Sequence, residues 1–207
     1  MDSGHTPETL ARFEEEIKDH FLAGRIRAPI HLSGSVDGEQ ERALIRIFKD
    51  VQPGDWVFSS HRSHYHALLK GLPVDWVRQE ILAGRSIHLM NTEHRFFSSA
   101  IVGGCLPIAL GVALGLKLRG EPCHVWCCVG DMAERTGLFR ECCEYALGFD
   151  LPVTFVVEDN GLSVNTPTEV VWGTSIYFRE HRYDVIRYPP FQRKYPHINA
   201  GQWVEFR

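Results

Sequence analysis

Two short apolar runs, "CHVWCCV" (123–129) and "PVTFVVED" (152–159), decide most of what this chain can become. Neither alternates with polar residues, so each reads as a strand buried on both faces. The segment between them, "ERTGLFRECCEYALGF" (134–149), reads as a helix. Strand, helix, strand in this spacing is the repeating unit of a parallel sheet covered on both faces. Further helices are expected over 6–23, opened by Thr6-Pro7-Glu8 and closed at Gly24, and over 37–51, near 63–70 and over 73–84. "IVGGCLPIALGVALGLKLRG" (101–120) is nearly all small and apolar, which predicts a helix buried on most sides. "YDVIRYP" (183–189) is a candidate third strand. The expected fold is therefore α/β, one domain over 1–207, with an N-terminal helix over 1–23 and an irregular C-terminal tail over 190–207.

Charge excludes some functions. Lys plus Arg number 22 against 26 Asp plus Glu, a formal charge of −4, which gives no electrostatic reason to expect nucleic acid or an anionic membrane. No apolar run approaches the roughly 20 residues a bilayer span needs. The first 21 residues are acidic and polar, unlike a signal peptide, and a cytoplasmic location is the expectation. The six cysteines show no Cys-X-X-Cys spacing, so they read as reduced thiols filling core space. Of the 11 histidines, His66 reads as structural, and His5, His20 and His197 as surface residues.

In a parallel sheet, ligands bind beyond the carboxyl ends of the strands. Gly130-Asp131 ends one expected strand and "EDNG" (158–161) the other, so both face one rim. Singly, Gly-Asp reads as a chain reversal and Asp-Asn-Gly as a β-turn. Paired across one crossover, a carboxylate, an amide and a nearby backbone carbonyl form a hard oxygen set suited to Mg²⁺, with phosphate and water completing its octahedron. A helix N-terminus behind Asp131 would add backbone donors.

"GDMAERTGLFRECCEYALGFDLPVTFVVEDNGLSVNTPT" (130–168) resembles the thiamine-diphosphate signature of the alpha subunit of 2-oxo acid dehydrogenases, of the pyruvate, branched-chain and acetoin group. "GRIRAPIHLSGSVDGEQERAL" (24–44), "DWVFSSHRSHYHALLKGLP" (55–73) and the stretch 86–120 resemble earlier segments of that family in the same order. The resemblance implies the pyrophosphate-binding domain of such a subunit, in a shortened form, with thiamine diphosphate and Mg²⁺ as cofactors. By position, Asp131, Asn160 and the carbonyl of Leu162 would hold the metal. Arg62 would contact the diphosphate through its planar fork, with His61 beside it and Gly130, Met132 and Ala133 against the phosphates. Ala100 and Val102 would offer backbone groups to the aminopyrimidine. His31 and His64 would line the substrate side as proton relays.

The implied partner is a beta-type subunit carrying the pyrimidine domain and the activating glutamate, in a homodimer or an α2β2 heterotetramer. The implied reaction is decarboxylation of a 2-oxo acid with transfer of the remaining acyl or aldehyde unit. Two departures qualify this. Met132 stands where the family has glycine and is expected to point into the core, leaving binding weakened or reshaped. The family's alpha subunits also continue well beyond this length. A transketolase-like two-carbon transfer subunit and a catalytically degenerate binding module remain alternatives. A dinucleotide-binding domain is a weaker one, because no Gly-x-Gly-x-x-Gly follows a strand.

Overall fold

A computed structural model of the chain describes residues 3–173, 185–188 and 190–197. The element order is α1 (Pro7–Leu22), α2 (Glu39–Phe48), β1 (Trp56–Ser59), α3 (His64–Leu69), α4 (Val74–Leu82), β2 (Met90–Asn91), β3 (Phe96–Ser98), α5 (Cys105–Arg119), β4 (Val125–Gly130), α6 (Asp131–Glu134), α7 (Gly137–Gly148), β5 (Val153–Glu158), β6 (Leu162–Ser163), β7 (Thr166–Pro167), α8 (Thr168–Trp172) and β8 (Val185–Tyr188). The fold is α/β, as expected. Six strands form one sheet in the order β2-β3-β1-β4-β5-β8, parallel throughout except for β2, which pairs antiparallel with β3 at the edge. Strands β1 and β3, four and three residues long, escape sequence reading because no periodicity develops over so few positions.

The two central strands sort their side chains between two cores with a period of two. Trp126 and Cys128 of β4 and Val156 of β5 join the core beneath α1, α2, α3 and α4. Val125, Cys127, Val129, Phe155 and Val157 join the core beneath α5 and α7. Burial on both faces is why neither run alternates in polarity. The cysteines are free thiols, all buried except the half-buried Cys123, and they fill these cores.

Three expectations need correction. The single helix over 134–149 is two, because Thr136 caps α7, its hydroxyl accepting from the Phe139 N–H, and so ends α6. The helix expected over 101–120 begins only at Cys105. It is buried along Cys105, Leu106, Ala109, Ala113 and Leu116 alone, while Ile108 and Leu118 stand exposed on its other side. The tail over 190–207 is irregular as far as residue 197 but not loose: Phe191 and Tyr195 are buried, and Ser35 and Arg193 form an antiparallel bridge. Residues 198–207, with 183, 184 and 189 of the third expected strand, lie outside the described residues.

Candidate functional site

The connections leaving β1 diverge. Those to β3 run through α3 and α4 on one face, and the return from β3 to β4 runs through α5 on the other. Neighbouring strands β1 and β4 thus send their chains to opposite faces, which opens a crevice at their carboxyl ends. An open cleft lies there. Its wall comes from Ser60–Arg62 after β1, Val102, Gly103 and Cys105 at the start of α5, the β4–α6 corner, residues 158–164 after β5, and Phe191, Arg193 and His197.

At the β4–α6 corner, Gly130, Met132 and Ala133 line the cleft, and Asp131 is buried between them. One oxygen of Asp131, Oδ2, accepts the Thr168 hydroxyl proton. The other, Oδ1, is buried with no hydrogen-bond partner among the described residues. Burial pushes its pKa up, the Asp159 charge adds to that, and Thr168 and the backbone of Asn160 oppose it. The Gly130–Glu158 register brings the Asn160 loop alongside. There Asn160 Oδ1 accepts from Leu162 N at 3.0 Å and Asp159 Oδ1 from Gly161 N at 3.1 Å. Gly161, at φ +66°, supplies the left-handed residue the reversal needs. The loop is therefore a turn, and a turn that keeps a free lone pair on an amide oxygen at the cleft wall. Arg187 lies beside it, paired with Asp159 at 2.8 Å and with Glu134. Among the described residues no cluster of three or more His, Cys, Asp or Glu could hold a metal, so a cation here depends on the mixed set of one carboxylate, one amide and a carbonyl.

A second corner follows β1. Arg62 is half-buried, and its Nη1 donates to the Leu32 carbonyl at 2.6 Å, tying the 31–33 strip to the β1 loop. Burial and the charge of Arg193 lower its pKa to about 9, still a cation at neutral pH. His31 stacks on His197 with ring centres 4.2 Å apart and meets His61 edge-on at 4.8 Å. Burial first, then the surrounding positive groups, depress all three: His31 to about 2, His61 and His197 to about 4. They are neutral imidazoles at pH 7, able to donate and accept but carrying no charge. Expected to line the substrate side, His31 is buried behind His61 and His197 and is not itself on the cleft wall; its Nδ1 has no hydrogen-bond partner among the described residues.

Several sequence expectations find other surroundings. His64 does not reach the cleft: it is fully buried between Glu14, 3.0 Å from its Nδ1, and Ser86, 2.8 Å from its Nε2. Glu14 also accepts the Ser33 N–H at 3.0 Å, so this network supports the strip that carries His31. Ala100 is exposed and outside the cleft wall, whereas Val102 lines it. Met132 does not enter the core. It lines the cleft, and its sulfur accepts from the Trp172 indole at 3.1 Å, because the first turn of α6 faces outward. The helix behind Asp131 is a four-residue turn, too short to be an anion site by itself. His66 is structural, as read, held by Ser59 at 2.7 Å and Glu158 at 3.0 Å.

Unlike a surface residue, His197 sits in the imidazole cluster. Gln40, Glu158 and Arg193 were also missed as wall residues. Gln40 Nε2 donates to Glu158 Oε2 at 2.9 Å and the Tyr188 hydroxyl donates to the same oxygen at 2.5 Å. The one available signal was a glutamate closing an otherwise apolar strand; Arg193 and His197 sit in a segment without periodicity.

Among the described residues no helix is long and apolar enough to cross a membrane. The family model described as dehydrogenase E1 component matches residues 6–180. The chain is 31% identical over 180 residues to the acetoin:2,6-dichlorophenolindophenol oxidoreductase alpha subunit of Cupriavidus necator, covering 81% of this chain and 52% of that protein. It is 30% identical over 167 residues to the subunit of the same name from Bacillus subtilis, covering 76% and 49%. To the pyruvate dehydrogenase E1 component alpha subunit of Zymomonas mobilis it is 31% identical over 168 residues, covering 76% and 46%. The chain thus spans about half the length of these curated relatives. With its matched segment reaching from α1 past α8, the chain belongs to the dehydrogenase E1 component family.

Proposed function

We propose that this chain binds thiamine diphosphate through Mg²⁺ and acts, with a beta-type subunit carrying the pyrimidine domain, in decarboxylation of a 2-oxo acid and transfer of the remaining acyl or aldehyde unit. The observation that carries this is the buried, unpartnered Oδ1 of Asp131 at the end of β4, beside the Asn160 loop. A buried carboxylate oxygen without a donor costs free energy, and a bound cation would offset it. Asn160 Oδ1 and the Leu162 carbonyl are hard oxygens on the adjoining loop, matching the ligand preference of Mg²⁺. Arg62, a half-buried guanidinium on the cleft wall, suits phosphate oxygens. The residues present therefore fit the group.

The cofactor, once bound, supplies the carbanion chemistry, which is its own rather than the protein's. This chain's part is to hold and orient. Asp131 and Asn160 would fix the metal, Arg62 the diphosphate, and His61, with His31 behind it, would exchange protons as a neutral imidazole at the cleft wall. Cys105, Val129 and Ala133 give that wall an apolar portion that limits water. A partner is supported by α5, whose exposed Ile108 and Leu118 leave apolar surface that an alpha–beta contact in a heterotetramer would cover.

Thermal melting tests the reading. Thiamine diphosphate with Mg²⁺ at about 100 times its Kd should stabilise the chain, mixed with its beta-type partner where needed, by about 2.7 kcal/mol. Asp131→Ala should remove that gain. No shift in the wild type with partner present would favour the degenerate module, which Met132 on the cleft wall recommends.

A further inference from the structure

Most of the cleft wall comes from residues within the 6–180 segment that matches the family, but Phe191, Arg193 and His197 lie beyond it. This last wall is built in. Phe191 N donates to the Asp159 carbonyl at 3.1 Å, Val36 N to Gln192 O at 2.9 Å, and Lys194 N to Gly34 O at 2.9 Å. Tyr195 is buried, and its hydroxyl reaches Glu15 at 2.5 Å. The strap therefore runs from the end of β5 across the 34–36 strip to the imidazole cluster, with each part pinned.

Pinning aims two polar side chains at the cleft. Arg193 donates to the Val164 carbonyl at 2.8 Å and to Asn165 Oδ1 at 3.1 Å, leaving donors of its fork unused by these bonds. His197 stacks on His31, lies edge-on to His61 at 5.8 Å, and stands 3.5 Å from Arg62 Nη2. Among the described residues neither Arg62 nor Arg193 has a carboxylate within ion-pair distance. The carboxylate on this wall, Glu158, is taken up by His66, Gln40 and Tyr188, so the two guanidinium groups stand among three imidazoles with no carboxylate bound to either. Were Arg62 committed to a diphosphate, Arg193 and His197 would remain as a second, smaller set facing negative charge, with His31 stacked behind His197.

We propose that Arg193 and His197, the latter backed by His31, form the subsite that recognises the carboxylate of the substrate, so that specificity comes partly from a strap outside the family's matched segment. This rests on the 2-oxo acid reading above and names the group that recognises the acid. A guanidinium fork and imidazole N–H groups offer convergent donors to two carboxylate oxygens. The neutral ester of the same acid presents no such charge.

Imidazole ¹H–¹⁵N spectra of the full chain labelled at histidine test the proposal. Pyruvate is the probe, methyl pyruvate the neutral control and inorganic pyrophosphate the competitor. Pyruvate should shift the His31 and His197 ring signals saturably while methyl pyruvate does not. Arg193→Gln and His197→Gln should each raise the apparent Kd for pyruvate about tenfold, with Arg193→Lys recovering part. Affinity for thiamine diphosphate with Mg²⁺ should change less than threefold, measured by melting in the same variants. Absent shifts, equal response to the ester, or an unchanged Kd in both glutamine variants would overturn the subsite. So would competitive displacement of pyruvate by pyrophosphate, which would make Arg193 a diphosphate contact. If pyruvate binds as described and thiamine diphosphate never does, the cofactor reading fails while the carboxylate subsite stands.

Discussion

His61, His64 and His66 lie within six residues of one another, and the fold gives them opposite fates. His64 and His66 turn inward against polar partners: Glu14 and Ser86 hydrogen-bond the two ring nitrogens of His64, while His66 is hydrogen-bonded to Ser59 and lies within ion-pair distance of Glu158. His61 turns to the cleft, where it meets His31 and His197; burial first and then Arg62 press all three toward neutrality, with Arg193 adding to the effect on His61 and His197. Interior histidines here are members of carboxylate networks. Those in the cleft stand among positive groups, in a place better suited to an anion that comes and goes. The direction of a perturbed pKa separates His66 from the cluster at the cleft: His66 is raised, whereas His31, His61 and His197 are lowered.

The contrast can be broken most forcefully from the interior. Burial works against charge on His66, but Cys128 and the Glu158 carboxylate outweigh it and raise its pKa. Burial likewise opposes the charge on Glu158, and His66, Tyr188 and Gln40 outweigh it and lower its pKa. His66→Ala should cost about 3–5 kcal/mol in urea unfolding, because it strands a buried carboxylate. The sign of the pH dependence follows. The His66 share is complete below the usual 6.5 and fades as pH rises through its raised value. The Glu158 share is complete above the usual 4.5 and fades as pH falls through its lowered value. Loss in the variant should therefore be greatest between those two pH values. A loss that is flat with pH would mean that the pair is not ionised.

Next in size is Asp131→Asn, which should abolish stabilisation by Mg²⁺ and thiamine diphosphate, about 2.7 kcal/mol at 100 times Kd. Without ligand the same variant should be as stable as wild type or more so at neutral pH. A carboxyl whose folded pKa is raised destabilises the fold once it ionises, and that penalty disappears as pH falls below the usual 3.8. A variant less stable than wild type in ligand-free melts would show Asp131 to be a structural cap instead.

His31→Ala probes the cleft side of the comparison. Its pKa of about 2 means that between that value and 6.5 the unfolded chain binds the proton more readily than the folded one. Stability should then rise with pH across this range in the wild type, and less steeply in the variant, opposite in sense to His66. Acid unfolding curves of equal slope would refute the difference between the two groups. The smallest effect is expected from Met132→Gly. A glycine in a short helix costs about 1 kcal/mol relative to a good helix former, and the contact with Trp172 is lost. Calorimetry should still find cofactor binding in this variant; a large gain in affinity would mark the native corner as degenerate.

Much of the fold was legible because its signals are local. Helices α1 to α4 show caps, stripes and breakers in their own residues, and β4 and β5 announce burial on both faces by lacking alternation. The split between α6 and α7 was missed, although Thr136 is a capping residue, because the apolar pattern runs on through it. The outward face of α5 was misread since composition reports what a helix can bury and says nothing of what covers it. That Asp131 and Asn160 share a rim was legible because one crossover separates them, and crossover geometry is regular enough to infer it.

Sequence alone determined the α/β class, the two buried strands, the polar residues at their tips and, through four ordered segments, the family. Only the tertiary structure decided which histidines face the cleft, that Met132 lies on its wall, and that Arg193 and His197 complete it. The physical reason is range. Capping, periodicity and burial are written within a few neighbouring residues, whereas the cleft joins Arg62 to His197 across 135 positions, a contact that depends on how separate elements pack.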